Sequence, residues 1–242
     1  MLDRSAVSSA TEGKVVRASF RVQARRVLRT KIITGELEAG KLYSVGEFAE
    51  LLGVSATPVR EALGDLEQLG LIEVIRNRGF RVPQLTEHDL DEIFQVRAML
   101  EITALDEVVV RLSDADLAAC RKLVQRCLHS ADARDLAGFL EADRDFHLTL
   151  LGALGNERLV EVVDRLRDQT RLYGLIGLAP ERLVASAIEH AALLEAIAER
   201  DAPKARIQLK RHLEHTRGLW AGRPDREGSD ALPAAQVSPR LH

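Results

Sequence analysis

The fold is decided by residues 44–82, SVGEFAELLGVSATPVREALGDLEQLGLIEVIRNRGFRV. Ser44 followed by Glu47 is a capping box: the hydroxyl takes an orphan backbone N–H and the carboxylate reaches back to the cap. It starts a short helix carrying Phe48, Ala49, Leu51 and Leu52, which Gly53 stops. Ser55 or Thr57 can cap a second helix, and Pro58 is tolerated in its first turn, where no helical N–H partner is lost. That helix runs past Leu63, Leu66 and Leu69 to Gly70. LIEVI and FRV, separated by the polar turn RNRG, then predict a β-hairpin, which Pro83 ends.

Upstream, Phe20, Ala24, Val27, Leu28 and Ile32 keep helical spacing as far as Gly35. The order helix, helix-turn-helix, β-hairpin is the winged-helix plan. Downstream, from Glu87 to Trp220, only helical periodicity is present, with helices expected near 87–112, 114–130, 133–153, 156–177, 181–199 and 202–219. Asp114, Asn156 and Asp201 stand at positions for N-caps. The expected fold is therefore mainly α: an N-terminal winged helix-turn-helix with a small β-hairpin wing, then a C-terminal all-α antiparallel helical bundle. The expected divisions are a disordered tail over 1–15, the winged helix over 16–83, the bundle over 84–220 and a second disordered tail over 221–242.

Composition agrees with this reading. Hydrophobic residues make up 46% of the 242 and aromatics only 4%, so the core rests on Leu, Val, Ile and Ala. No apolar run opens the chain as a secretory segment would, and the longest near-apolar run, 172–179, is far short of a bilayer span of ~20 residues. A soluble, cytoplasmic protein is expected. Cys120 and Cys127 are seven apart on one helix, ~10 Å between Cα atoms, too far for a disulfide. The net charge of -3 hides an asymmetry. Residues 14–82 hold twelve Lys and Arg against eight Asp and Glu, whereas 83–220 hold eighteen against twenty-four. A polyanionic partner is expected for the front part only.

A helix-turn-helix presents the first turn of its second helix to the major groove. Ser55, Thr57 and Arg60 occupy that turn, and Arg60 can pair with guanine through two donors. Arg76, Asn77 and Arg78 fall at the wing tip, with Gly79 allowing close approach.

The bundle carries a second pattern. Asp143 and His147, four apart, share a helix face, while His190 and His212 lie on the last two helices. Each histidine sits among apolar neighbours. Convergence of the four would make a site for Zn²⁺, Ni²⁺ or Mn²⁺, with open positions for water or a ligand oxygen. Spacing alone leaves open a set of separate, hydrogen-bonded core histidines. It also leaves open a metal-dependent hydrolase, although Asp145 and Glu141 lie off the ligand face, where a general base would be needed.

Residues 35–82, above all SATPVREAL, LGLIEV and NRGFRV, closely resemble the DNA-binding domain of the GntR family. The resemblance implies DNA contact by Ser55, Thr57, Arg60 and the wing near Asn77 and Gly79. The chain departs from many members at Ala56, where Arg is frequent, and at Gly46, where some carry a basic residue. Residues 86–219, through TEHDLDEIFQVRAMLE, DRDFHLTLLGALGN and EHAALLEAIAERD, resemble the FCD effector domain of FadR-type GntR regulators. That likeness implies a divalent metal, zinc first, held by Asp143, His147, His190 and His212. It also implies a homodimeric repressor on a two-fold DNA operator, rather than an enzyme, released by a small carboxylate such as an organic or sugar acid. Arg97 is the expected carboxylate partner, its alternative being a surface ion pair with Glu101; Thr216 and Arg171 are the lesser candidates.

Overall fold

The computed structural model describes residues 20–170 and 180–220. The tails over 1–15 and 221–242, the run 172–179 and Arg171 lie outside the described residues. The first helix, α1, occupies residues 20–33. Strand β1 (Leu42–Tyr43), helices α2 (Val45–Leu51) and α3 (Ala56–Gln68), and strands β2 (Glu73–Ile75) and β3 (Gly79–Arg81) complete the front unit. The rest is helical: α4 (Glu87–Arg111), α5 (Asp114–Asp132), α6 (Leu136–Gly152), α7 (Glu157–Thr170), α8 (Pro180–Ala198) and α9 (Ala202–Trp220).

The capping box forms as read: Ser44 Oγ accepts from the Gly46 N–H at 3.1 Å, and Glu47 accepts from the Ser44 N–H at 3.3 Å. Gly53, at φ +63°, supplies the left-handed corner between α2 and α3. Ser55 is the N-cap residue of α3, though its side chain makes no capping bond. The wing has three strands rather than two, in the order β1-β3-β2. Tyr43 pairs with Phe80 across one ladder, and Val74 pairs with Phe80 across the other. Strand β1 escaped the sequence reading because two residues carry no alternation. It adds a reason for Gly79. A Cβ there would lie 2.0 Å from the Tyr43 carbonyl oxygen, so the glycine makes room for β1.

Two apolar cores form. One gathers Leu28, Phe48, Val59, Leu66, Ile72 and Phe80 beneath the wing. Tyr43, Phe48 and Phe80 interlock there with ring centroids 5.4–6.1 Å apart. The other gathers Leu105, Cys127, Phe146, Leu150, Leu193 and Leu209 within the bundle. Ile33, at the end of α1, belongs to the bundle core and so joins the two units. Both cysteines are free and buried; burial pushes the Cys120 thiol up to about 12. One bundle cap differs from expectation by a residue, and two stand where no cap was named. Ser113, not Asp114, caps α5, accepting the Asp116 N–H. Asp135 caps α6. Thr86 and Asp89 form an unforeseen capping box on α4. Asn156 and Asp201 cap where expected.

Candidate metal centre and nucleic-acid interface

Helix α6 places Asp143 and His147 on its buried face, α8 contributes His190 and α9 contributes His212. One donor atom from each of the four lies within 4.8 Å of the others. His190 Nε2 is 3.1 Å from His147 Nε2, 3.2 Å from His212 Nε2 and 3.4 Å from Asp143 Oδ1. Donors held at 2.0–2.1 Å from one ion stand about 2.9–3.4 Å apart in octahedral to tetrahedral arrangements, so these spacings suit a divalent metal.

The tautomers agree. His147 Nδ1 faces Glu101 Oε2 at 3.3 Å, and His212 Nδ1 faces Glu189 Oε2 at 2.9 Å. A ring nitrogen beside a carboxylate carries the proton, which leaves lone pairs on both Nε2 atoms. Both lone pairs point at His190 Nε2, which can offer at most one proton to the two. A cation satisfies all three nitrogens at once. Burial, then the charge of Arg167, keeps His147 well below its ordinary pKa. Burial, then His190, lowers His212 to about 4 despite Glu189. Both are therefore neutral near pH 7, the form in which imidazole binds metal.

An ion network surrounds the four, and sequence reasoning missed its central member, Arg167. Arg167 of α7 donates to Asp143 Oδ2 at 2.8 Å and to Glu101 Oε2 at 3.4 Å. Arg97 donates through Nε to Glu101 Oε1 at 2.8 Å. That pair is the predicted alternative for Arg97, but it is buried rather than on the helix surface: both side chains are 2% exposed. Burial raises the Glu101 carboxyl, yet Arg97 and Arg167 together bring it below the usual range. Asp143 is held low in the same way, with Arg167 the chief opponent of burial. Arg97 Nη2, Arg167 Nε and His190 Nδ1 are buried without a hydrogen-bond partner among the described residues. Glu189 also accepts from His215 Nδ1 at 2.7 Å, and both histidines help lower its carboxyl to about 2 against burial. Thr216 is half-buried and its hydroxyl donates to the His212 carbonyl at 2.7 Å.

In the front unit, Ser55, Thr57 and Arg60 are all exposed on the first turns of α3. Asn77, at φ +59°, makes the wing turn, closed by Arg78 N–H to Ile75 O at 2.9 Å; Arg76, Asn77 and Arg78 are exposed. Arg60, Asn77, Arg78 and Gly79 line one open cleft of about 440 Å³ with Ser44 and Gly46. Ser55, Thr57 and Arg76 lie outside that cleft.

Comparison with known proteins resolves what these two sites belong to. Residues 20–82 match the family described as bacterial regulatory proteins, gntR family, and residues 92–215 match the FCD domain. The chain belongs to the GntR family of regulators, in its FCD-bearing, FadR-type branch. It is 30% identical over 154 residues to the HTH-type transcriptional regulator McbR of Escherichia coli K12, covering 64% of this chain and 70% of that one. It is 27% identical to the HTH-type transcriptional repressor GlaR of the same organism, covering 78% and 90%. The solved structure titled E. coli McbR/YncC superposes with a TM-score of 0.75 at 25% identity, over 84% of this chain and 97% of that one. These relatives are transcriptional regulators, not enzymes, so the hydrolase alternative falls. No helix among the described residues is long and apolar enough to cross a membrane.

Proposed function

We propose that this GntR regulator is a repressor whose grip on its operator is set by a small carboxylate bound beside a divalent metal, zinc first, in the helical bundle. Asp143, His147, His190 and His212 would hold the ion; when bound it supplies a Lewis-acidic anchor for a ligand oxygen. The observation that carries the reading is the charge balance of the pocket. Arg97 and Arg167 already match Glu101 and Asp143, and His147 and His212 are held neutral. A divalent cation would therefore add two positive charges to a buried place, and counting Glu189 leaves one unmatched. A buried charge needs a partner. A carboxylate ligand provides one, and Nη2 of Arg97 and Nε of Arg167, without a partner among the described residues, are donors of the matching kind. Thr216 and Arg171 remain candidate lining residues.

On DNA, the cleft between α3 and the wing supports contact through Arg60, Asn77 and Gly79, with Ser55, Thr57 and Arg76 beside it. A homodimer on a two-fold site is supported by α4. This helix buries Leu90, Phe94, Leu105 and Val108 on one side and exposes Val96, Met99 and Val110 on the other. An apolar stripe on the outer face of a 25-residue helix suits a second copy.

The test is a thermal-shift panel of organic and sugar acids on zinc-loaded protein. One acid at about 100 times its Kd should stabilise by about 2.7 kcal/mol, release DNA selected from a random pool, and do neither in His147→Ala. Indifference to every acid overturns the effector reading; an acid that tightens DNA binding overturns the repressor reading.

A further inference from the structure

Helix α7 touches both halves of the molecule with adjacent residues. Arg167 faces the bundle interior, donating to the metal-ligand candidate Asp143 and to Glu101. Asp168, next in sequence and equally buried, accepts a two-pronged bond from Arg29 of α1: Nε to Oδ2 at 2.6 Å and Nη2 to Oδ1. On the same side of α7, Arg165 Nε and Gln169 Nε2 both donate to the Leu69 carbonyl, at 3.2 and 3.0 Å. Leu69 is the C-cap of α3, the recognition helix. The last turn of α7 thus holds the head at two points, one on α1 and one on α3, while its other face closes the metal pocket. Ile33 of α1, packed in the bundle core, lies one turn beyond Arg29.

We propose that α7 links the metal pocket to the DNA-reading head, with Arg167 and Asp168 as positioning residues that act through Asp143 on one side and Arg29 on the other. The inference rests on the metal-site reading above. Its physical basis is the cost of parting a buried ion pair. Arg167 has to follow Asp143 when that carboxylate settles on a cation, because losing the pair would strand a buried charge. Neighbouring residues of one helix cannot move independently, so Asp168, Arg165 and Gln169 move with it. The head then shifts or stiffens without itself contacting the ligand.

The experiment is hydrogen exchange on the full chain, metal-free and with added Zn²⁺, in wild type and in Asp168→Asn. The wild type should gain protection in α6 and α9, and also in α7, the end of α1 and residues 66–72. The gain in the head segments should be on the order of fivefold or more. Asp168→Asn should keep the bundle response and lose the response at the end of α1, while residues 66–72, held separately through the Leu69 carbonyl, keep part of theirs. Should that variant fold poorly, Arg29→Asp, on the more exposed partner, should have the same effect, and combining Arg29→Asp with Asp168→Arg should restore the head response. A response at the end of α1 that survives Asp168→Asn or Arg29→Asp overturns the link. So does a wild-type response confined to the bundle, which leaves the metal site standing. No response in the bundle overturns the metal-site reading itself, and the link with it.

Discussion

Arg167 donates to Asp143 Oδ2 at 2.8 Å in the interior of the bundle, tying a helix with no metal ligand of its own to one of the four candidate ligands. Both groups are largely shielded from water, so their attraction is weakly screened and each depends on the other. Replacing Arg167 by Met leaves Asp143 and Glu101 with Arg97 as the one remaining guanidinium in the pocket among the described residues. Loss of one member of a buried pair costs about 3–5 kcal/mol. The metal-free variant should unfold well below wild type in a calorimetric scan, and zinc should recover part of the difference by replacing the lost positive charge. A variant within a few degrees of wild type without metal would show the network to be dispensable.

Glu189 should matter to metal affinity although it is not a ligand. Its two oxygens accept from His212 Nδ1 and His215 Nδ1 at 2.9 and 2.7 Å, fixing which His212 nitrogen keeps a lone pair. Outer carboxylates of this kind contribute about 10–100-fold in affinity. Glu189→Gln should weaken zinc binding by that factor in competition titrations against a chelator, with little change in DNA binding by metal-free protein. Unchanged zinc affinity would assign Glu189 to packing alone.

The histidines also set a sign for pH dependence. Folding lowers His212 from the ordinary value of 6.5 to about 4, and lowers His147 in the same direction. Between those values the unfolded chain takes up protons that the fold refuses, so stability falls as pH drops from about 6.5 toward 4. Above about 6.5 this contribution is complete and flat. Urea midpoints of chelator-treated protein should therefore decline below pH 6.5, and a His212→Asn variant should show a shallower decline. A wild-type midpoint independent of pH over that window contradicts neutral histidines in the fold.

On the DNA side, Arg60→Ala should reduce specific binding by about 1–3 kcal/mol and relax preference at one base position, as the loss of a two-donor base contact does. Arg78→Ala, at the wing tip, should weaken all sequences alike and lower the salt slope by about one counterion. Anisotropy titrations at several salt concentrations separate the two behaviours. Equal loss on specific and random duplexes for Arg60→Ala would remove it from base reading.

Much of this was legible because it is local. The capping box at Ser44, the corner at Gly53 and the spacing of Asp143 and His147 are written within a few residues of one another. The meeting of His190 and His212 with α6 is a tertiary event; apolar neighbours aimed each histidine inward, but the likeness to FCD domains brought them together. Arg167 and Asp168 were illegible. In ERLVEVVDRLRDQT, charges stand at nearly every other position, and nothing local separates the two that are buried from those that face water. Arg97 was singled out as a carboxylate partner, and only its alternative, the pair with Glu101, was expected at the surface: an i,i+4 pair looks the same there as in an interior. The cap at Ser113 was passed over for Asp114 because either residue can serve.

Gly79 offers a sharper test of the wing than any charged residue. At φ +129° its backbone occupies a region L side chains rarely adopt, and an added Cβ would meet the Tyr43 carbonyl oxygen at 2.0 Å. That oxygen belongs to backbone in the β1 strand, so it cannot rotate away as a side chain would. Gly79→Ala must either unpair β1 from β3 or tilt the wing turn that carries Asn77 and Arg78. Backbone strain of this kind costs about 1–3 kcal/mol. The damage should stay in the front unit, because the bundle has its own core. Calorimetry should show a less stable head, DNA binding should fall, and zinc affinity should stay at the wild-type value. Lost zinc binding together with lost DNA binding would instead mean that wing and bundle unfold as one unit; unchanged DNA affinity would show that the wing tip tolerates displacement and takes no part in holding the duplex.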